Sequence, residues 1–222
     1  MVRASSTLLP PSNAPNLDVE HLAFVYFSNV SRGLNPKSQE GIDHVHPYYQ
    51  LATDLANQTS AQYNFITPNL GHDGHEGISP CATLLSLEAT RCAAIHGSNN
   101  TSRSSRNRQS TKAGGALFVI WDEAEDSGAY GDGPIGMFLL SPFAKGGGKK
   151  AYSNSIYYTH SSTLKTVEEI FGVTSLLGVA GDAAIFDLSD FFSSPNFEHA
   201  QNPANIRNSP HVKVVVLSEA VR

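Results

Sequence analysis

The chain alternates short apolar runs with helical patterns, and this alternation predicts an α/β fold. Five large apolar side chains in a row, Leu117 to Trp121, are typical of a strand buried on both faces in a parallel sheet flanked by helices. A second run, rich in aromatic and β-branched residues, begins at Tyr63 and stops at Pro68, which cannot donate to a ladder. The two runs predict strands of a mostly parallel sheet.

Other segments extend this pattern. His21 to Phe27 predicts a first strand, Ile135 to Leu140 another buried strand, and Val214 to Leu217 an edge strand. Tyr48 to Asn57 has the apolar spacing of a short amphipathic helix. Helices and strands therefore follow one another in the order expected of an α/β sandwich.

The 222 residues fit one domain, which we expect to span residues 21–222. Residues 1–20 are polar, contain three prolines and predict an irregular lead-in. Residues 98–112 are almost entirely polar and cannot bury enough apolar surface to offset their conformational entropy. This stretch predicts a mobile loop.

Composition excludes several classes of protein. A formal charge of -5 gives no basic footprint for nucleic acid, and no apolar run approaches the length of a transmembrane span. The first ten residues lack the apolar core of a secretory signal. Cys81 and Cys92 permit at most one disulfide bridge and leave the compartment open.

Two adjacent carboxylates, Asp122 and Glu123, end the most apolar run. Ligands of open α/β sheets bind outside the carboxyl ends of the strands, so this pair is placed to hold a cation, unless it merely solubilises a loop. The acidic, glycine-rich segment that follows fails the EF-hand pattern because no glutamate closes it at the required offset.

A second polar cluster follows the Tyr63 strand in a glycine-punctuated loop, and it comprises Asn69, His72, Asp73 and His75. Amide, imidazole and carboxylate groups suit either metal ligation or binding of a phosphoryl group, and both alternatives stay open. Each histidine taken alone is more often a surface or hydrogen-bonded residue.

His160 lies just before the N-terminus of a predicted helix. Thr159 and the serines after His160 offer capping hydroxyls, apolar residues then recur at helical spacing, and Gly172 marks the stop. The backbone N–H groups and the dipole at such a start favour an anion. A capping or packing role for His160 is the alternative.

Four motifs occur in order along the chain: Phe65-Ile66-Thr67-Pro68-Asn69 with Asp73-Gly74-His75, then Leu117-Phe118-Val119-Ile120-Trp121-Asp122-Glu123, then Leu140-Ser141-Pro142-Phe143-Ala144-Lys145, and His160-Ser161-Ser162 leading to Thr166-Val167-Glu168-Glu169-Ile170-Phe171-Gly172. The series closely resembles the phosphoesterase family, which contains acid phosphatases and phosphatidylcholine-type phospholipases C and belongs to the alkaline phosphatase-like superfamily. The resemblance runs from about residue 21 to residue 180.

This resemblance implies a three-layer α/β/α sandwich and metal-assisted hydrolysis of a phosphoric ester through a covalent phospho-enzyme. It implies a divalent cation, of unspecified identity, held by Asp122 and Glu123. It also implies that Asn69, Asp73 and His75 bind the substrate. The catalytic residues that it implies are His75, His21 and His160. In the family, Asn-Pro usually follows the histidine that His21 resembles, whereas Leu22 and Ala23 follow it here.

Family members place a Glu-Asn metal-binding motif and a nucleophile upstream of the strand that starts near His21, so the sequence predicts an N-terminally truncated, incomplete member. A locally shifted reading frame between Ala89 and Lys112 belongs to the same hypothesis. The alternative function is a catalytically impaired remnant that retains metal or phosphate binding. A sulfatase-like or phosphoglycerate mutase-like relative is disfavoured because the Cys/Ser-Pro-Ser-Arg pattern of those sulfatases is missing. Kinship implies a secreted or periplasmic location, and the ester and the oligomeric state stay open.

Overall fold

The computed structural model describes residues 23–33, 35, 37–46, 48–57, 59–67, 115–124, 135–141, 143–146, 151–193 and 214–221. Several predictions concern other parts of the chain and lie outside the described residues: the lead-in at 1–20, His21, the loop with Asn69, Asp73 and His75, both cysteines, and the polar stretch 98–112.

A mixed four-stranded sheet organises the described residues, and the chain is an α/β protein. Its strands are β1 (Tyr63–Ile66), β2 (Ala116–Ala124), β3 (Met137–Leu140) and β4 (Val214–Val221). In space their order is β1-β4-β2-β3, so the last strand in sequence lies between the first two. β4 runs parallel to both of its neighbours, and β3 adds to β2 in the antiparallel direction.

The register aligns the first residues of β1 and β2, and the two strands run in the same direction. Val214 pairs with Tyr63 on one side and with Ala116 on the other, and Leu217 pairs with Ile66 and Val119. β1 therefore ends at the level of Val119, five residues before the end of β2, with β4 between the two strands and roughly 10 Å from one to the other.

Four α-helices of the described residues accompany the sheet, and they are α1 (Ser28–Ser31), α2 (Gln39–His44), α3 (Tyr48–Asn57) and α4 (His160–Ile170). Short 3₁₀ helices lie at Ala23–Tyr26, Gly178–Gly181 and Ser189–Phe191. The prediction of α3 is confirmed residue for residue. The prediction of α4 is confirmed as well, except that His160 is its first residue and does not precede it. Gly172 follows α4 with a φ of 68°, a left-handed conformation that glycine adopts without the steric penalty of a Cβ.

β2 is buried on both faces, as its unbroken apolar run predicts. Phe118 and Leu117 are each 0% exposed and point to opposite faces because strand side chains alternate. On the first face, Phe118 packs in a cluster with Ile170 of α4, and on the second face Leu117 shares a cluster with Leu51 of α3. Helical residues thus cover both faces of the central strand.

The predicted strand from His21 to Phe27 is wrong over its described part. Residues Ala23–Tyr26 form a 3₁₀ turn, and α1 follows directly. The ring of Phe24 packs edge-on against Tyr63 and Phe65, with centroid distances of 6.2 and 6.1 Å. The aromatic run therefore covers the side chains of β1 and does not extend the sheet by pairing.

Two strand environments also differ from prediction. Val214–Val221 occupies an interior position and not an edge, which agrees with its apolar composition because interior parallel strands need apolar residues on both faces. β3, predicted to be buried, lies at one edge of the sheet, with β1 at the other, and its Phe138 is 60% exposed. Single-strand composition did not reveal this order, since order depends on which strands pair.

Buried polar groups of α4 hold the chain that follows it. The hydroxyl of Thr166 donates to the carbonyl of Ser162 at 2.8 Å and accepts from the backbone N–H of Leu188 at 2.8 Å. The buried carboxylate of Glu168 accepts from the N–H of Leu177 at 3.1 Å. These hydrogen bonds satisfy side chains that would otherwise be costly to bury, and they fix residues 177–188 on the helix.

We expect Phe118→Ala to lower the free energy of unfolding by about 3–5 kcal/mol, because it removes a fully buried ring from the central strand and leaves a cavity. Urea denaturation followed by circular dichroism measures this loss. Phe186→Ala is the matched control, since Phe186 is 61% exposed, and its loss should stay within about 0.5 kcal/mol. Equal losses in the two variants would contradict the assigned core.

Candidate functional site

Asp122 and Glu123 lie within the last residues of β2, not beyond its end as predicted. The register with β4 pairs Trp121 with Glu219 and then Ala124 with Val221, so three steps along β2 match two along β4. This irregularity is a β-bulge at the carboxylate pair. Bulges redirect side chains and occur often beside functional sites. Asp122 is exposed there, whereas the Glu123 side chain lies outside the described residues.

His160 reaches this bulge from the first turn of α4. Its Nε2 lies 2.6 Å from the backbone carbonyl oxygen of Asp122, which is 38 residues away in sequence. A carbonyl oxygen only accepts hydrogen bonds, so Nε2 carries the proton and donates. In the neutral imidazole with this tautomer, Nδ1 carries the lone pair and is the nitrogen that can accept a hydrogen bond or bind a metal ion.

Trp121 supports the bulge from the side of β3. Its backbone N–H donates to the carbonyl of Gly136 at 3.2 Å, and its ring packs against Phe138 with centroids 5.5 Å apart. A Cβ on residue 136 would lie 2.8 Å from the Trp121 ring, which is closer than carbon atoms pack. Glycine at this position therefore lets the indole lie directly on the backbone and fixes the strand just before Asp122.

The structure thus brings together two of the residues predicted for a site, Asp122 and His160. The loop predicted to carry Asn69, Asp73 and His75 follows β1, which runs in the same direction as β2, but the loop itself lies outside the described residues. His21 lies outside them as well. Their predicted roles stay predictions.

The described donors suit a divalent cation in type and supply only part of a ligand set. Among the residues that the structure describes, no three His, Cys, Asp or Glu side chains come together. The Asp122 carboxylate and the Nδ1 of His160 are ligand types that zinc, manganese and related ions accept, whereas a complete site needs four or more ligands. Further ligands would have to come from the predicted loop.

The first turn of α4 adds positive potential beside these groups. The N–H of Ser162 donates to the Thr159 carbonyl at 2.9 Å, and the Ser162 hydroxyl accepts from the Thr159 N–H at 3.1 Å. This reciprocal contact defines the helix start directly before His160. The helix dipole there favours negative charge, such as that of a phosphoryl group.

A polar cluster that the sequence did not indicate holds the segment before α4. The Asp190 carboxylate accepts hydrogen bonds from Lys145, Tyr152 and Asn154 at 2.7, 2.6 and 2.6 Å. The Lys145 ammonium, and then the Tyr152 and Asn154 donors, lower the pKa of Asp190 from 3.8 to about 2. Separations of 36 to 45 residues explain why no local pattern revealed the cluster.

No family model, curated protein or solved structure matches the chain. Within the described part of the chain, no helix has both the length and the apolar character needed to cross a bilayer.

We expect neutral His160 to carry its proton on Nε2, since that nitrogen faces the Asp122 carbonyl. Long-range ¹H–¹⁵N NMR spectra of the imidazoles at alkaline pH report the tautomer, and His160→Gln assigns the signals. His44 is an internal control because its Nδ1 lies 2.6 Å from the Glu40 carbonyl, which requires the opposite tautomer. A His160 ring protonated on Nδ1 would contradict the assigned contact.

We expect the free energy of unfolding to fall as the pH drops from about 4 to about 2, through protonation of Asp190. The folded pKa lies below the unfolded value, so the stabilising contribution is fully present above pH ~4 and is lost as pH falls through ~2. Urea titrations at several pH values measure the difference between wild type and Asp190→Asn, which should shrink over this range. Lys145→Met removes the largest cause of the lowered Asp190 pKa and should make the free energy of unfolding depend less on pH in this range. Parallel curves for wild type and Asp190→Asn would refute the assigned role of Asp190.

Proposed function

We propose that the protein is a phosphoric-ester hydrolase of the acid phosphatase or phospholipase C type, which uses a divalent cation held by Asp122 and Glu123. The observation that carries the proposal is the contact between the His160 ring and the Asp122 carbonyl. It joins two of the four motifs that resemble the phosphoesterase family at one point of the sheet.

The sheet topology supports a common site. β1 leads into the proposed phosphate-binding loop with Asn69, Asp73 and His75. It runs in the same direction as β2 and ends at the level of Val119, three residues before Asp122. Ligands of α/β proteins bind outside the carboxyl ends of the strands because the loops after parallel strands converge there. The proposal therefore places phosphate-binding and metal-binding groups on one rim.

A three-layer α/β/α sandwich is the proposed complete fold. The contacts of β2 with α4 on one face and with Leu51 of α3 on the other support it. In such a fold the central strands are buried on both faces, which accounts for the unbroken apolar run before Asp122.

Asp122, His160 and the first turn of α4 each have a role in this proposal. Asp122 contributes a hard oxygen ligand to the cation, and His160, fixed through Nε2, presents Nδ1 as a ligand or as a hydrogen-bond partner of the phosphoryl group. The positive end of α4 stabilises negative charge on the substrate. A bound divalent cation would supply charge neutralisation at the phosphoryl oxygens.

A secreted or periplasmic location belongs to the same proposal by kinship. The substrate is a phosphate monoester, a phosphodiester or a lipid headgroup, and the experiment below distinguishes these three classes.

The experiment measures hydrolysis of p-nitrophenyl phosphate, bis-p-nitrophenyl phosphate and phosphatidylcholine, with zinc, manganese, calcium or magnesium in turn. We expect metal-dependent turnover that EDTA abolishes and that Asp122→Asn lowers by about 100-fold or more, because an amide is a weaker, uncharged ligand. Asp182→Asn is the matched control: Asp182 is exposed, its carboxylate accepts the N–H of Ala184, and turnover should stay within about twofold.

The outcomes separate the two candidate functions. No turnover with any metal, together with zinc or phosphate binding that Asp122→Asn weakens, would favour a non-catalytic remnant. Turnover that Asp122→Asn leaves unchanged would refute the assigned site.

A further inference from the structure

The segment that leads into His160 has no regular secondary structure. Residues 151–159 form neither helix nor strand, yet they deliver His160 to hydrogen-bond distance of the Asp122 carbonyl. No sheet ladder or helix fixes the path of this segment. The side chains of Tyr152 and Asn154 in this segment both donate to Asp190.

Asp190 uses both carboxylate oxygens in these contacts. Oδ1 accepts from the ammonium of Lys145, and Oδ2 accepts from the phenol of Tyr152 and from the amide of Asn154. Two of the three donors belong to the segment before His160, and the third follows β3. A carboxylate suits this arrangement because it accepts at several positions and donates at none.

The constraint extends from Asn154 towards His160. The Asn154 amide also donates to the Tyr158 hydroxyl at 3.1 Å, and its Oδ1 accepts from the N–H of Ile156 at 3.1 Å. The Tyr158 ring packs on Phe191 with centroids 5.4 Å apart. Tyr158 is two residues before His160, so the chain has little slack after this anchor.

Asp190 itself is anchored to the strand that carries Asp122. Its neighbours Leu188 and Phe192 are 1% and 6% exposed, and the Phe192 ring contacts Phe118 of β2 at 6.3 Å. The backbone N–H of Lys145 donates to the carbonyl of Phe191 at 2.8 Å. A closed circuit of contacts thus runs from β2 through the core to Asp190, along the segment to His160, and back to β2 at Asp122.

We propose that Asp190 is a positioning residue for His160, whose carboxylate holds residues 152–158 so that the His160 Nε2 meets the Asp122 carbonyl. Asp190 acts through Asn154 and Tyr158 and does not touch the proposed substrate. Its effect on the imidazole is independent of the proposed function, and only its effect on turnover rests on that function.

Asp190→Asn is the central test, because it preserves shape and replaces one accepting oxygen with a donating amide that faces donors. We expect both tautomers of His160 to become populated in the ¹⁵N spectrum, while His44 and His46 keep their signals. Asp182→Asn is the matched control and should leave the His160 ring unchanged. A folded Asp190→Asn protein that keeps the Nε2–H tautomer of His160 as the single form would overturn the proposal.

Asn154→Leu tests the same circuit at its next contact and decides the question if Asp190→Asn does not fold. It removes the amide that joins Asp190 to Tyr158 and keeps a side chain of similar size. We expect the same loss of a single His160 tautomer, and an unchanged ring would overturn the proposal as well.

Turnover gives the readout that depends on the proposed function. In Asp190→Asn we expect kcat for p-nitrophenyl phosphate to fall by about 10- to 100-fold with KM within about twofold, since a misplaced group impairs the reaction more than binding. Unchanged kcat in a variant with a disturbed His160 ring would show that the ring position does not serve hydrolysis. A wild-type protein without turnover would refute the proposed function, and the tautomer measurement would still decide the role of Asp190.

Discussion

Burial of β2 on both faces is the constraint on which the described structure depends. Phe118 faces the cluster with α4, and Leu117 faces the cluster with α3, so the strand fixes helical elements that are far apart in sequence. Burying each of these side chains contributes about 1.5–3 kcal/mol, whereas a typical surface ion pair contributes about 0–1 kcal/mol. The bulge at residues 122 and 123 follows the apolar run of this strand, and Asp122 is exposed there.

The polar contacts around the rim depend on this packing in turn. Asp190 is held between the buried residues Leu188 and Phe192, and its hydrogen bonds then fix a segment that has no ladder of its own. His160 closes the arrangement by donating to the Asp122 carbonyl. The proposed site therefore depends both on the packing of the core and on the hydrogen bonds that the Asp190 carboxylate accepts from three donors. Such groups are held more firmly than side chains on free loops.

A substantial part of the fold could be predicted from local patterns. The apolar spacing of Tyr48 to Asn57 and the capping residues on either side of His160 identified two helices, and the apolar run before Asp122 identified the buried strand. The aromatic run from His21 to Phe27 led to a wrong strand prediction, because aromatic residues are common in strands and also pack against the side chains of strands. Of the candidate site, the sequence indicated Asp122 and His160 separately, and the roles of His21, Asn69, Asp73 and His75 stay predictions.

The sequence by itself determined which segments are apolar on both faces, which are amphipathic, and where carboxylates and imidazoles follow them, because these are properties of neighbouring residues. Tertiary structure alone decided that Val214–Val221 lies between β1 and β2, that the register shifts at Asp122, and that Lys145 meets Asp190 across 45 residues. Strand pairing, register and long-range hydrogen bonds depend on how distant segments pack into one core, and a pattern of neighbouring residues does not contain that information.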